Sequence, residues 1–428
     1  MTSRAELFRY TGLDVHADSL VGHYELDGRP FVESVSFEGV DNLQTPAVRA
    51  VGELWYLLAG LSYFKAGAPP RVDLADTPIG PKGRALLAAA LTDGLGEFSL
   101  RNNLALDDVV FEGGVAVAQY RPLVDPRRVL IPFGGGIDSV VSVNSLAHDL
   151  DRALFVVSPH TGRFASLEAT AAVSGLVTLR ATRTLDSQIL KPDPTFFQGH
   201  VPVTAMVTLL ASVAAIASGR GGVVMSNEHS SSVPNLVWRE RPVNHQWSKS
   251  WVAEELIAGA LLERVGPEFV AASLLRSRSE LWVAREFSQL REYHHVFRSC
   301  NRAFTQDSSA RALDWCGECD KCLFIDLVLA PFLSRDALCD IFHAEPLADP
   351  ARESQLRALV GVGLDHTPFE CVGDPNESAV ALARVVELGQ WNDAAHLTMI
   401  SRSASPDRSF DELMTPEGPN RVPAHWLR

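Results

Sequence analysis

The period with which apolar and polar positions recur changes along the chain, and each change predicts a different kind of element. Through SLVGHYELDG and RPFVESVSF, residues 19–37, apolar and polar residues roughly alternate, the signature of strands with one buried face. Asp27-Gly28 between the two runs is a dipeptide that tight turns favour, so a β-hairpin is predicted. The next stretch, TPAVRAVGELWYLLAGLSYFKAG, carries leucine and aromatic residues at helical spacing. Thr45 is placed to cap it, Pro46 takes the first position and Gly67 and Pro69 close it. Its aromatic stripe is read as core packing rather than a ligand site.

From Arg127 onward short apolar runs alternate with helical segments. VLIPF (129–133), ALFVVS (153–158), LVTLRAT (176–182) and GVVMSN (222–227) are the predicted strands. Strand followed by helix, repeated, means a parallel sheet wound by right-handed crossovers. The longest apolar segment, VTAMVTLLASVAAIASG, is interrupted by Thr208, Ser212 and Ser218. It falls short of the roughly 20 clean apolar residues that span a bilayer, so a buried helix is predicted. After Val252 the pattern is mostly helical. The chain is thus divided into an N-terminal α+β domain, residues 1–123, a parallel-sheet α/β domain with a Cys cluster, 124–334, and a helical C-terminal region with a Pro-containing tail, 335–428.

Composition narrows the function. With 428 residues, 46% of them apolar, the chain can build more than one sizeable core. Lys plus Arg number 38 against 52 Asp plus Glu, a formal charge of −14, so nucleic acid is not an expected partner. MTSRAELFRYTG lacks the basic start and long apolar stretch of a secretion signal, and a cytoplasmic protein without a membrane partner is expected. All six cysteines lie at or after position 300, which points to metal in a reducing compartment rather than to a disulfide framework.

Cys316, Cys319 and Cys322 follow one another at two-residue gaps in WCGECDKC, with Cys300 upstream. Four thiolates suit a structural Zn²⁺, the spacing also suits an iron–sulfur cluster, and free buried thiols are the third reading. Cys339 and Cys371 are read as ordinary core residues.

The chemistry centres on VLIPFGGGIDSVVSV, residues 129–143, where three glycines join a strand to a helix. In an open parallel sheet ligands bind beyond the carboxyl ends of the strands. Glycine there lets successive N–H groups point into one concavity and hold phosphate oxygens. A tight turn without a ligand is the alternative. A Walker loop needs a Lys that is absent, and the dinucleotide fingerprint needs a Gly where Ser139 stands.

The motif GGGIDS resembles the pyrophosphate loop, SGGxDS, of the adenine-nucleotide hydrolases that cleave ATP between its α and β phosphates, a group whose nucleotide domain is a HUP-like parallel sheet. The resemblance implies that Gly135, Gly136 and Ser139 hold pyrophosphate and that Asp138 helps hold Mg²⁺. Gly134 departs from the usual Ser, leaving backbone N–H groups to do that work. Within the group, no Cys occurs before Cys300 to serve an N-terminal glutaminase, the net charge disfavours the tRNA enzymes, and the nitrile synthases lack a domain like residues 1–123.

PFGGGIDS, together with HTGRFASLEA, QGHVPVTAM, SNEHSS, NHQWSKSW and CGECDKC, resembles the MurL family of ATP-dependent epimerases over about residues 10 to 400. That implies cleavage of ATP to AMP and pyrophosphate, Mg²⁺, and a bacterial cytoplasmic setting. The implied substrate is UDP-N-acetylmuramoyl-L-alanyl-L-glutamate, whose terminal glutamate is inverted in peptidoglycan synthesis. Candidate acid–base groups at strand ends are His160, Glu228 and His229. His200 is a candidate nucleotide contact. Arg239, Arg241, His245 and Lys249, in a Trp-rich loop, are candidates for the substrate's diphosphate or carboxylates. For each the bland alternative is a hydrogen-bonded structural residue or a solvated charge. An amide ligase or nitrile-forming synthetase of the same fold, and a nucleotide-binding protein without catalysis, are the competing functions; retention of Asp138 and Ser139 counts against the latter.

Overall fold

The computed structural model describes residues 3–40, 42–191, 193–305, 308–363 and 368–428. The chain opens with β1 (Leu7–Val15), β2 (Ser19–Leu26) and β3 (Arg29–Glu38), an antiparallel meander. The expected hairpin is β2–β3: Leu26 stands opposite Arg29, and Asp27 and Gly28 both adopt positive φ, 47° and 80°, as a tight hairpin turn requires. β1 was not expected, because its alternation breaks at Gly12, where the register with β2 shifts.

The helix expected over 45–67 starts as predicted, with the Thr45 side chain accepting the Val48 N–H, but it is two helices, Pro46–Ala59 and Leu61–Gly67. The break has a cause in β1. The Tyr10 hydroxyl donates to the Leu57 carbonyl at 2.7 Å, the group that an unbroken helix would offer to the Leu61 N–H. A Cβ on Gly60 would lie 2.6 Å from the Tyr10 ring, so only glycine lets the ring come this close.

The next strands are β4 (Arg71–Asp73), β5 (Val110–Glu112), β6 (Asp125–Pro132), β7 (Asp151–Pro159), β8 (Thr178–Thr184) and β9 (Arg220–Met225). β10 (Leu236–Trp238) and β11 (Arg241–Val243) form a separate hairpin, and β12 (Val270–Ser273) closes the set. Ten strands make one mostly parallel sheet in the order β12-β9-β6-β7-β8-β3-β2-β1-β4-β5. The N-terminal and central segments share it through the antiparallel β3–β8 pairing. β6 to β9 fall on the predicted apolar runs with small shifts at their ends. Read from β8 towards β12, the five parallel strands follow the chain order 3-2-1-4-5.

The long apolar segment is the helix Val203–Ala217, packed between β6 and β9 on one side and the helix Pro46–Ala59 on the other. Covered on both sides, it needs no polar face. No helix among the described residues is long and apolar enough to cross a membrane. On the opposite face, helices Ile137–Ser145, Glu280–Ser288, Asp320–Leu329 and Pro375–Leu388 share a second apolar core. The C-terminal tail closes that core: Trp426 is buried, its carbonyl accepts the Ala147 N–H, and its ring lies so close over Gly222 that no Cβ would fit there.

Candidate active site

β6 comes first in the chain among the five parallel strands β6, β7, β8, β9 and β12 and lies between β7 and β9, so the winding of the sheet reverses at its carboxyl end, the place where open α/β sheets bind ligands. There Gly134, Gly135 and Gly136 carry the chain into the helix Ile137–Ser145. Gly135 sits at φ 74°, a left-handed conformation, and Gly136 is the extended N-cap. A side chain on Gly134 would meet none of the described atoms, so that position faces open space. The Ser139 hydroxyl donates to the Gly136 carbonyl at 3.0 Å, bracing the turn. Gly135→Ala is expected to destabilise this turn by about 1–2 kcal/mol and to weaken nucleotide binding, which urea denaturation and ATP titration would measure.

The loop opens into a cavity of about 520 Å³ whose wall also carries Glu228, Lys249, Arg298, Lys321 and Cys371. Asp138 points one carboxylate oxygen, Oδ1, into a buried position without a hydrogen-bond partner among the described residues. One oxygen each of Asp138, Glu228 and Glu280 lie within 4.8 Å of one another. Burial, then the Glu228 carboxylate, push the Asp138 carboxyl up to about 7, while Lys249 and Lys321 pull it down. Burial, then the Asp138 and Glu228 carboxylates, raise Glu280 well above the carboxylate range, against the pull of Lys321. Burial works against the Lys249 ammonium, yet Cys371, Glu228 and Asp138 raise its pKa. Crowded carboxylates with an unpartnered oxygen fit a hard divalent cation, which takes oxygen donors and relieves their repulsion. Lysines beside the glycine loop suit phosphate oxygens.

The four clustered cysteines meet at the cavity's edge. Sγ separations are 3.7 Å for Cys316–Cys322, 4.0 Å for Cys300–Cys319 and 3.5 Å for Cys319–Cys322. Four sulfurs about 2.3 Å from one tetrahedral zinc would stand about 3.8 Å apart. The thiols therefore fit a single ion better than a cluster, whose several irons would hold the sulfurs farther apart. Because Cys300 and its neighbours Arg298 and Ser299 line the cavity, the tetrad also fixes part of its wall.

Of the residues singled out in the sequence, Gly134, Gly136, Asp138, Ser139, Glu228 and Lys249 converge on this cavity, with Gly135 in the loop between them. The others stand elsewhere. His160 is exposed after β7, with its N–H on the Arg183 carbonyl. His229 pairs with Glu417 at 3.2 Å rather than joining the cavity wall. Arg239 and Arg241 are exposed on the β10–β11 hairpin and bond to Asn103 and Asp107. His200 packs its ring on His245, with centroids 4.3 Å apart, and burial, then His245, bring its pKa down to about 4. His245 in turn places Nδ1 2.5 Å from Glu97.

Arg298, Lys321, Glu280 and Cys371 were not expected here. Lys321 stood inside the CDKC motif and was overshadowed by its cysteines. Cys371, read as a core residue, is part of the cavity wall, where the Lys321 ammonium donates to its carbonyl.

Comparison with known proteins places the chain in a family. The MurL N-terminal domain family matches residues 1–274 and the MurL C-terminal domain family matches residues 296–413. This chain belongs to the MurL family. Two MurL relatives are named UDP-N-acetyl-alpha-D-muramoyl-L-alanyl-L-glutamate epimerase. The one from Salinispora tropica is 40% identical over 385 residues, 87% of this chain and 82% of its own length. The one from Xanthomonas oryzae pv. oryzae is 34% identical over 420 residues, 95% of this chain and 92% of its own length. As a MurL protein the chain is an epimerase, of the isomerase class. No solved structure matches it.

Proposed function

We propose that this chain inverts the terminal glutamate of UDP-N-acetylmuramoyl-L-alanyl-L-glutamate in the bacterial cytoplasm, coupled to cleavage of ATP into AMP and pyrophosphate. On this reading the five parallel strands are a HUP-like pyrophosphatase domain, and the substrate is a small molecule of the muramyl peptide kind. The observation that carries the reading is Asp138, with its unpartnered buried oxygen in the first turn of the helix that the glycine loop opens.

The chemistry explains why an epimerase would use such a loop. Removing the α-proton of a free carboxylate would place a second negative charge beside the first. Joining the carboxylate to the α-phosphate of ATP cancels the first charge and makes the carbonyl an electron sink. A base can then take the proton, a proton can return to the other face, and water releases AMP. The N–H groups of Gly135 and Gly136 and the Ser139 hydroxyl would hold the departing pyrophosphate. Asp138, with Glu228 and Glu280, would hold Mg²⁺, which supplies charge neutralisation on the phosphates. Lys249, Lys321 and Arg298 would add fixed positive charge around them. Cys300, Cys316, Cys319 and Cys322 would hold a structural Zn²⁺.

Incubation with the UDP-muramyl dipeptide, ATP and Mg²⁺, followed by chiral analysis of glutamate released by acid, tests this. D-Glutamate accompanied by AMP is the expected outcome. L-Glutamate in a new amide, with AMP, would mark a ligase instead.

A further inference from the structure

Two histidines and a glutamate from three separate segments converge outside the cavity. Glu97 lies in the helix Gly96–Asn102, His200 just before the buried helix Val203–Ala217, and His245 in the loop after β11. One donor atom of each lies within 4.8 Å of the others. The two imidazole rings are tilted by 40° with their centroids 4.3 Å apart, and Nδ1 of His245 stands 2.5 Å from Oε2 of Glu97. Glu97 is buried and both histidines are half-buried, so the group is shielded from solvent without being sealed from it. Its backbone is already held in place. The Asn102 side chain donates to the Gln198 carbonyl at 2.8 Å, and the Phe98 ring lies so near Gly199 that a Cβ there would come within 2.9 Å of it, which ties the His200 segment to the Glu97 helix. The His245 N–H donates to Asn235 Oδ1 at 2.7 Å. Arg101 holds the other oxygen of Glu97, as outer partners orient a ligating carboxylate. The His200 ring, by contrast, makes no hydrogen bond among the described residues.

We propose that Glu97, His200 and His245 bind one divalent cation of the Zn²⁺ type, at a site separate from the thiolate tetrad and from the carboxylates around Asp138. Two imidazoles and a carboxylate are donors that suit such an ion. A proton joins only His245 and Glu97, whereas an ion about 2.0–2.2 Å from each donor also takes the lone pair of His200. Neighbouring ligands of a tetrahedral ion at that distance stand about 3.3 Å apart, so His245 and Glu97 need part by less than an ångström. Three protein ligands leave the fourth position to water.

Lys65, Lys249 and Arg101 stand around the group and oppose a cation there. The two ammonium groups are engaged by other acceptors, Lys65 by the Gly199 carbonyl at 2.6 Å and Lys249 by Gln246 Oε1 at 3.0 Å, so direct coordination by three donors outweighs them. The ion would join the Glu97 helix to two segments that lead into the cavity. Thr204 and Val207 follow His200, Lys249 follows His245, and all three line the cavity wall. Its role is to position that wall.

The test is a Co²⁺ titration of the full chain after removal of metal by chelator, with excess Mg²⁺ present to occupy the carboxylates around Asp138. Co²⁺ held by thiolates absorbs strongly in the near ultraviolet through sulfur-to-metal charge transfer, and Co²⁺ held by imidazole and carboxylate does not. The two kinds of site are therefore read apart, whether or not the tetrad fills. The unaltered chain is expected to take up one equivalent that adds visible absorption without charge transfer, and Zn²⁺ should displace it. His200→Ala should weaken that equivalent by roughly 100-fold or more, beyond what loss of an outer partner costs, and leave any thiolate band as it was. Because the His200 ring makes no hydrogen bond among the described residues, the variant should melt within a few degrees of the metal-free parent. His200→Cys, which supplies a different ligand, should regain the ion and add a charge-transfer band of its own. An unaltered chain that takes up no Co²⁺ outside a thiolate band would overturn the proposal, as would a His200→Ala variant that binds as much as the parent.

Discussion

Asp138→Asn is expected to lower AMP release by roughly 10³-fold while leaving the fold intact, because the change removes the charge that holds the cation and keeps the shape of the side chain. Stability gives an independent check on the same residue. A carboxyl raised to about 7 in the folded chain, from its usual acidic value, contributes stability at low pH that is lost as pH rises through 7. Asparagine does not titrate, so without added metal the variant should be at least as stable as the parent at pH 8. Mg²⁺ should raise the melting temperature of the parent and not of the variant. A variant that is inactive because it is unfolded, or one that cleaves ATP normally, would each contradict the assignment.

Loss of the thiolate tetrad is the second large effect. Structural zinc in small peptides contributes about 10–16 kcal/mol of apparent binding free energy at pH 7, all of it coupled to folding. Here Cys300 and Cys322 are fully buried, and the segment they tie down supplies Arg298, Ser299, Asn301 and Lys321 to the cavity. Elemental analysis should find one zinc per chain in protein purified without chelator. Cys322→Ser should lose it, melt several degrees lower and bind ATP more weakly, because Lys321 and Arg298 are no longer held beside the loop. Protein without zinc would refute the site, and a brown chromophore would indicate an iron–sulfur cluster.

What the sequence made legible follows from how local each feature is. β6, β7 and β9 carry stretches buried on both faces and read as apolar runs, whereas β4, β5 and β12 are three or four residues long and offer too few positions for a period. The helix break at Gly60 was invisible because its cause, the Tyr10 hydroxyl, lies in another element. The same division holds in the site. Residues 134–139 form one contiguous loop, and their chemistry is written in consecutive letters. Arg298, Lys321 and Cys371 reach the cavity from separate segments, and nothing adjacent to Cys371 in FECVGD distinguishes it from a core cysteine. His160 and His229 stand outside the cavity wall for a converse reason. Each lies at or just beyond a strand end, but a strand's end fixes where the backbone goes and not where the next side chain points.

On the proposed mechanism the α-proton becomes labile only after the carboxylate has been activated. Heavy water tests it directly. With the UDP-muramyl dipeptide, ATP and Mg²⁺ in deuterium oxide, product D-glutamate should carry deuterium at Cα, and incorporation should stop when ATP is replaced by an analogue that cannot be cleaved between its α and β phosphates. Retained configuration, no label and a new amide bond would contradict the account.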